Sequence, residues 1–169
     1  MRKIILAGLV ALAVAGCATE PLPDNYSGPT ATIGDTDTRR SEHSVDFFFV
    51  SEYNGKSVNN ALIATRQANY GQGFAMSPMK WSRQVPTVES TFRIEGQTHY
   101  AAPILDVIHK IYHVSGELKF TPVEHHVYLV KGELNEEHSI VWIEDEDTHE
   151  VIGKKFEAKG SSTLGVLEK

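Results

Sequence analysis

Apolar and polar side chains alternate with period two through much of residues 45–156, a pattern that predicts β-strands. In the first such segment, Val45, Phe47 and Phe49 share one face, while Phe48 and Val50 occupy the other. Successive side chains of a strand point to opposite faces, so this segment is apolar on both sides. We therefore predict a strand that is covered on both faces and lies centrally in its sheet.

The same alternation recurs later in the chain and predicts further strands at residues 91–95, 112–120, 126–134, 139–144 and 150–156. The last two segments flank residues 145–149 and predict a hairpin. Asn54-Gly55-Lys56 predicts a tight turn, because Asn and Gly tolerate positive φ. About seven short strands separated by turns indicate a mainly β fold, an antiparallel β-sandwich over residues 30–157 with one or two short helices.

One segment has helical periodicity, with Pro103 suited to the first turn. Its apolar side chains recur at i, i+3, i+4, i+7 and i+8 and form a stripe of Ile104, Val107, Ile108, Ile111 and Tyr112. The polar side chains would then face water, namely Asp106, His109, Lys110 and His113. The pattern at residues 59–69 fits either a short helix or an irregular strand.

The N-terminus predicts a targeting signal. Two basic residues, Arg2 and Lys3, precede twelve apolar or small residues at positions 4–15. A twelve-residue helix spans about 18 Å, well short of the roughly 30 Å hydrocarbon core of a bilayer. Residues 1–16 are therefore predicted to be a secretory signal peptide rather than a membrane span.

Val14-Ala15-Gly16-Cys17 resembles the lipobox of bacterial lipoproteins, in which an aliphatic residue and two small residues precede a cysteine. The resemblance implies cleavage between Gly16 and Cys17, a diacylglycerol thioether on Cys17, and an acyl chain such as palmitate on the new amine. Ala18 follows where Asp would mark inner-membrane retention, so the resemblance implies an outer-membrane lipoprotein facing the periplasm. Cys17 is the only cysteine, which leaves no intramolecular disulfide.

The segments that flank the predicted domain are polar. Residues 17–29 contain three prolines and little apolar surface, which predicts a flexible tether behind the lipidated cysteine. The polar stretch Asp35 to Glu42 is predicted to be a loop or a continuation of this tether. Residues 158–169 are small and charged and are predicted to be a frayed tail.

The net charge of the chain excludes two classes of binding partner. The 169-residue chain carries a formal net charge of −6, which becomes −8 when residues 1–16 leave with Arg2 and Lys3. An acidic chain lacks the basic patch that nucleic-acid binding needs. It is also repelled by anionic lipid surfaces, so contact with membrane lipid is predicted to pass through acylated Cys17 alone.

Parts of the predicted domain resemble periplasmic lipoprotein domains of the transthyretin-like or PEGA-like β-sandwich type. The matching segments are Asn54-Gly55-Lys56, Arg83-Gln84-Val85-Pro86, Tyr128-Leu129-Val130 and Trp142-Ile143-Glu144-Asp145. The Pro-Glu-Gly-Ala sequence itself is absent, and Val85-Pro86-Thr87-Val88 stands near its place. The resemblance implies a binding or spacer module, on the analogy of fold alone.

A search for catalytic motifs finds no Gly-x-Ser-x-Gly elbow, phosphate-binding glycine loop or Cys-x-x-Cys pair. His149-Glu150 lacks the second histidine of a zinc-protease helix. We therefore predict neither an enzyme nor a cofactor. A hydrolase with an unrecognised site stays as a minor alternative, because a catalytic triad assembles in space rather than in sequence.

The eight histidines offer metal binding as an alternative function. On a helix through residue 113, Asp106, His109 and His113 would share one face and could bind Zn²⁺ or Cu²⁺. Solvated side chains on a polar face explain the same pattern more simply, so no metal ligand is assigned. Glu124-His125-His126 is a weaker candidate, because neighbouring residues of a strand point to opposite faces.

Two other groups carry possible chemistry. The acidic run Glu144-Asp145-Glu146-Asp147 could bind Ca²⁺, but it lacks the spacing of a calcium loop and is predicted to be a solvated hairpin tip. Four aromatic residues could form a platform for sugar, namely Trp81, Trp142, Tyr70 and Tyr100. Core burial is the simpler prediction for Trp142, and packing at an edge of the sandwich for Trp81.

Together these patterns predict a non-enzymatic lipoprotein of the bacterial cell envelope, anchored by acylated Cys17 in the outer membrane. Its β-sandwich is expected to bind or support an envelope partner, either a protein or a polysaccharide. A periplasmic metal-binding domain that uses the histidines is the main alternative.

Overall fold

The computed structural model describes residues 20–158 and consists of two stacked β-sheets with two short helices on one side. The helices are α1 (Ala61–Ala68) and α2 (Pro103–Ile108). The strands are β1 (Thr30–Gly34), β2 (Thr36–Ser41), β3 (Ser44–Tyr53), β4 (Lys56–Ser57), β5 (Ser82–Pro86), β6 (Ser90–Tyr100), β7 (His113–Phe120), β8 (Val127–Glu133), β9 (Ile140–Asp145) and β10 (Val151–Glu157).

Sheet A has the strand order β10-β9-β8-β1-β5, and sheet B has the order β2-β3-β6-β7, with β4 paired to β3. All these pairings are antiparallel except that of β1 with β8. The predicted fold class, mainly β with two sheets and two short helices, is confirmed. The described region has ten strands rather than about seven, and the parallel pairing makes sheet A mixed.

The main core lies between the two sheets. Sheet B contributes Phe48, Phe92 and Ile94 to it, and sheet A contributes Val130 and Ile143. These side chains are almost fully buried. Burial of large apolar side chains, worth roughly 1.5–3 kcal/mol each, is what holds the two layers together.

A second apolar cluster lies on the outer face of sheet B, where Val45, Phe47 and Phe49 of β3 pack against Leu62 of α1 and against Met76. β3 is therefore covered on both faces, and it pairs with both β2 and β6. This confirms the prediction from the unbroken apolar run at residues 45–50. Helix α1 is present because this outer apolar face needs a cover.

The segment at residues 59–69, which the sequence left open, forms helix α1. Asn60 has extended backbone angles, and its side chain accepts a hydrogen bond from the Ile63 amide at 3.0 Å. That is the geometry of a helix N-cap. The buried side chains Ala61, Leu62 and Thr65 face the sheet.

Helix α2 begins at Pro103 as predicted, but the prediction for its apolar stripe is wrong. Ile104, Val107 and Ile108 are 58%, 66% and 64% exposed. The helix ends at Ile108, so the backbone from residue 109 onwards is free to enter β7. Strand pairing of β7 with β6 outcompetes the last helical turn and separates Ile108 from the buried Ile111.

The polar stretch Asp35 to Glu42 is neither a loop nor part of the tether, since Thr36–Ser41 forms strand β2 at the edge of sheet B. Asp35, the first residue of this polar stretch, is buried at the junction of β1 and β2. Edge strands tolerate polar side chains on their open side, which explains why the apolar pattern missed this one.

Residues 20–29 contain no helix or strand and include a turn in which the Tyr26 amide donates to the Pro23 carbonyl. The predicted leader, Cys17 and residues 159–169 lie outside the described residues. Within residues 20–158, neither helix is long and apolar enough to cross a membrane.

Candidate functional site

A cavity of about 430 Å³ opens on the outer side of sheet B, between the C-terminal end of α1 and the start of α2. The C-terminal end of β6 supplies its floor through His99, Tyr100 and Ala101. Its walls include Tyr70 and Pro103, and most of its lining is apolar. The volume falls within the 300–1,000 Å³ typical of small-molecule sites. We refer to it as the α1–α2 cavity.

One wall is the loop at residues 69–79, which follows α1. The side chain of Asn69 holds the two ends of this loop together. Its Nδ2 atom donates to the Thr65 and Ser77 carbonyls, and its Oδ1 atom accepts from the Ser77 amide. Gly71 and Gly73 have φ angles of 80° and 73°. Side chains rarely adopt these angles, so the loop needs glycine at both positions.

Two side chains from sheet B hold the far end of the same loop. Arg39 donates to the Met76 carbonyl at 3.1 Å, and the His43 ring contacts the Phe74 carbonyl at 2.8 Å. The loop wall of the cavity is therefore fixed to the sheet by these polar contacts and by the buried Met76 side chain.

The opposite wall is α2 and the residues that follow it. The Tyr100 hydroxyl donates to the Lys110 carbonyl at 3.0 Å, and the His109 ring stacks on Tyr100 with ring centres 5.2 Å apart. The outward side of this wall is apolar, because Ile104, Val107 and Ile108 are exposed. These three side chains lie on the helix whose Pro103 and Asp106 line the cavity, and exposed Tyr70 and Phe74 lie on the loop that forms the other wall. We call these five side chains the apolar rim.

Besides two tyrosines, the cavity lining contains the titratable side chains Arg66, His99 and Asp106. Burial, together with the nearby Arg66 charge, lowers the pKa of His99 to about 4. Burial also lowers the pKa of Arg66, while the Asp106 carboxylate opposes that effect. At neutral pH the cavity therefore contains a neutral imidazole between a guanidinium and a carboxylate.

The depressed pKa of His99 predicts a loss of stability in mild acid. Its ordinary value is 6.5 and its value here is about 4, so between these pH values the unfolded chain binds the proton preferentially. Stability is then lost as the pH falls from 6.5 towards 4. We expect a loss of about 1 kcal/mol by pH 5, after discounting the full shift for partial exposure of the ring.

Urea unfolding at pH 7, 6 and 5 measures this effect. His99→Gln should flatten the pH dependence in this range, whereas His138→Gln, at an exposed position, should leave it unchanged. The acids with a lowered pKa, Glu95 and Asp145 at about 2 each, act only below about pH 4.5. A wild-type slope retained in full by His99→Gln would contradict the assignment.

The metal alternative required residues 104–113 to form one helix, and this condition is not met. His113 lies on strand β7, where its ring is 3.2 Å from a carboxylate oxygen of Glu95. His109 instead stacks on Tyr100 beside the cavity. Across residues 20–158, no three His, Cys, Asp or Glu side chains converge in a way that could hold a metal ion.

The other charged candidates have contacts within the protein. His126 is 2.6 Å from Asp145, whereas His125 points into solvent beside Glu124. Asp145 also accepts hydrogen bonds from the Thr148 and Asp147 amides and so closes the β9–β10 turn. Glu144 pairs with Lys131. Half of the acidic run is thus buried and structural, and the other half, Glu146 and Asp147, is the exposed hairpin tip.

The four aromatic residues do not form one platform. Tyr70 and Tyr100 meet at the α1–α2 cavity, while Trp81 packs against the outer cluster of sheet B. Trp142 is buried as predicted, but outside the cluster of residues that forms the main core. The Lys155 ammonium covers its ring at 3.9 Å from the ring centre.

No sequence pattern marks Arg66 or His99 as site residues. Each stands alone in its segment, and only the packing of α1 and α2 against the end of β6 brings them to one cavity. The exposed apolar stripe of α2 carried the useful signal, although it was predicted to face inwards.

The fold defines a two-sheet β-sandwich that has an apolar cavity under two short helices. No family model matches the chain, and no curated protein or solved structure matches it either. The function is therefore argued from the site itself.

Proposed function

We propose that this protein is a lipid-anchored, non-catalytic binding module of the bacterial cell envelope, which docks a partner protein on the apolar rim of the α1–α2 cavity. The observation that carries the binding role is the exposure of Ile104, Val107 and Ile108 next to a preformed cavity. Contiguous exposed apolar surface next to a pocket is typical of interaction sites in soluble domains.

The chemistry of the rim favours a protein partner over a polysaccharide. Three of its five side chains are aliphatic, whereas sugars stack on flat aromatic faces. Tyr70, which is 92% exposed, adds the kind of side chain that often anchors protein interfaces. Tyr70 and Phe74 of the rim lie on a loop that hydrogen bonds hold together and fix to β2, so this part of the rim is shaped before a partner arrives.

The anchoring half of the proposal is supported by the leader and by Cys17 within a lipobox-like sequence. Each buried methylene of an acyl chain contributes roughly 0.8 kcal/mol, so two or more chains hold stably while one does not. The twelve residues from 18 to 29 reach at most about 40 Å, which would keep the domain close to the bilayer. This arrangement would present the rim within the envelope.

Replacing the lipidated cysteine tests the anchor. In Cys17→Ser the thioether cannot form, so we expect complete loss of labelling by a radioactive or alkyne-bearing fatty acid, and an uncleaved leader. Pulse labelling of cells, followed by gel analysis of the protein, measures both. Undiminished labelling, or a mature wild-type protein that is free of lipid, would contradict the anchor.

The binding half is tested in the same cells with the full chain. A photoreactive amino acid placed at Tyr70 on the rim should give a discrete cross-linked product with one envelope protein. The matched control places it at Lys119, an exposed position on the outer face of the same sheet. Absence of a reproducible product at residue 70, or the same products at both positions, would contradict the partner role without affecting the anchor.

A further inference from the structure

The α1–α2 cavity contains one cation, Arg66, that makes no hydrogen bond to the described residues, although the Asp106 charge acts on it. Within residues 20–158, no hydrogen bond or ion pair joins the Arg66 guanidinium to another side chain or to the backbone. By contrast, Arg39, Arg40, Arg83 and Arg93 each donate to a carboxylate or a carbonyl. Arg66 therefore differs from the other arginines of the described sandwich.

The other polar groups of the cavity are mostly occupied. Asn69 uses both ends of its amide within the loop, and the Tyr100 hydroxyl donates to Lys110. The Asp106 carboxylate also has a partner within the protein. His99 keeps its ring nitrogens available, and it is neutral at physiological pH. The lining thus offers a guanidinium, an imidazole and the Asp106 carboxylate beside apolar side chains.

We propose that the α1–α2 cavity binds a small amphipathic carboxylate, whose apolar body lies against Tyr100 and Ala101 and whose carboxylate pairs with Arg66. A guanidinium presents a planar fork that matches the two oxygens of a carboxylate. The aromatic faces of Tyr70 and Tyr100 favour a ligand whose body contains a ring. This ligand would sit in the cavity behind the rim, so the inference goes beyond the proposed partner protein.

The Asp106 carboxylate provides a second test of the proposal. Its charge lies close enough to raise the pKa of Arg66, so it also repels an incoming carboxylate. Loss of that charge should strengthen the binding of an anion.

The test uses the purified full-length chain with 4-phenylbutanoate as probe and 4-phenylbutan-1-ol as its neutral match, measured by titration calorimetry and by NMR. We expect saturable binding of the acid, with shifts confined to residues 69–79 and 99–106. The alcohol should bind at least tenfold more weakly, because it cannot form the charge-assisted pair.

Variants then locate the charge. Arg66→Gln should weaken binding of the acid about tenfold or more and remove the preference for acid over alcohol. Lys119→Gln, which removes one exposed cation elsewhere on sheet B, should change neither. Asp106→Asn should bind the acid a few fold more tightly. Because Arg66 makes no hydrogen bond or ion pair within residues 20–158, its replacement should not perturb folding, and unfolding curves of each variant check this.

Three results would overturn the proposal: no saturable binding of the acid, equal affinity for acid and alcohol, or undiminished binding in Arg66→Gln. Weaker binding of the acid in Asp106→Asn would overturn it too, since it would mean that Asp106 supports the bound ligand rather than repelling it. These outcomes are separate from those of the cross-linking experiment, which detects a protein at the rim.

Discussion

Asp35→Asn is expected to lower the free energy of unfolding by about 3–5 kcal/mol, the loss typical of breaking a buried ion pair on one side. The Asp35 and Arg83 side chains are 0% and 1% exposed, and they form a salt bridge at 2.7 Å. Removing the carboxylate charge leaves the Arg83 cation in the interior without a counter-ion. Urea unfolding followed by circular dichroism measures the change.

The position of Asp35 explains why the effect should be large. Its carboxylate also accepts hydrogen bonds from the Val50 amide of β3 and from the Ala61 amide at the start of α1. Burial raises the pKa of Asp35, while Arg83 and the two amides act in the opposite direction. One side chain therefore joins both sheets and the helix beside the cavity.

A double-mutant cycle separates the ion pair from the loss of packing. Arg83→Met keeps the approximate length of the side chain and removes its charge. In the wild type the Nε and Nη1 atoms of Arg83 make no hydrogen bonds to the described residues, so the variant loses only those of Nη2. The double variant Asp35→Asn/Arg83→Met should lose at least about 1 kcal/mol less than the sum of the two single variants.

Asp37→Asn is the matched control for this cycle. It breaks a salt bridge to Lys80, whose side chain is 77% exposed, and should cost less than about 1 kcal/mol. A loss in Asp35→Asn as small as that of the control, or strict additivity in the cycle, would refute the role of the buried pair.

Gly132→Ala is expected to destabilise the fold by about 3 kcal/mol, at the upper end of the usual cost of overpacking. A Cβ atom at this position of β8 would lie 2.4 Å from the Ile140 carbonyl oxygen and 2.5 Å from the Phe48 ring. The carbonyl belongs to the neighbouring strand β9 and cannot rotate away. Relief would require the two strands to separate or Phe48 to leave the core.

Gly34→Ala is the control for this substitution. A Cβ atom there would meet only the tip of the Leu129 side chain at 3.0 Å, which can move. We expect a change of less than about 1 kcal/mol. Thermal unfolding of both variants measures the contrast, and equal losses would show that close packing at Gly132 is not the cause.

The sequence was informative wherever one side-chain period decided the outcome. The double-sided apolar run at residues 45–50, the strand at 91–95 and the final hairpin all follow from period two, and the structure contains them as predicted. Local chemistry was equally direct where Pro103 begins α2. The strands β1, β2 and β5 escaped prediction because β1 and β5 have only five residues each and β2 is a polar edge strand, so each carries little apolar alternation.

The candidate site was not predictable in the same way. The sequence linked His109 and His113 through a helix, but long-range pairing of β7 with β6 ended that helix at Ile108 and sent His113 to Glu95. Periodicity measures which residues share a face of one element. It does not record which element wins when two compete for the same residues.

By itself the sequence determined the two-layered β architecture and the two-sided central strand, since both follow from the local spacing of apolar side chains. Only the tertiary structure decided that Asp35 is buried against Arg83, that α2 turns its apolar side outwards, and that Arg66 and His99 share one cavity. Each of these depends on contacts between residues far apart in the chain, and such contacts form only when the sheets and helices pack together.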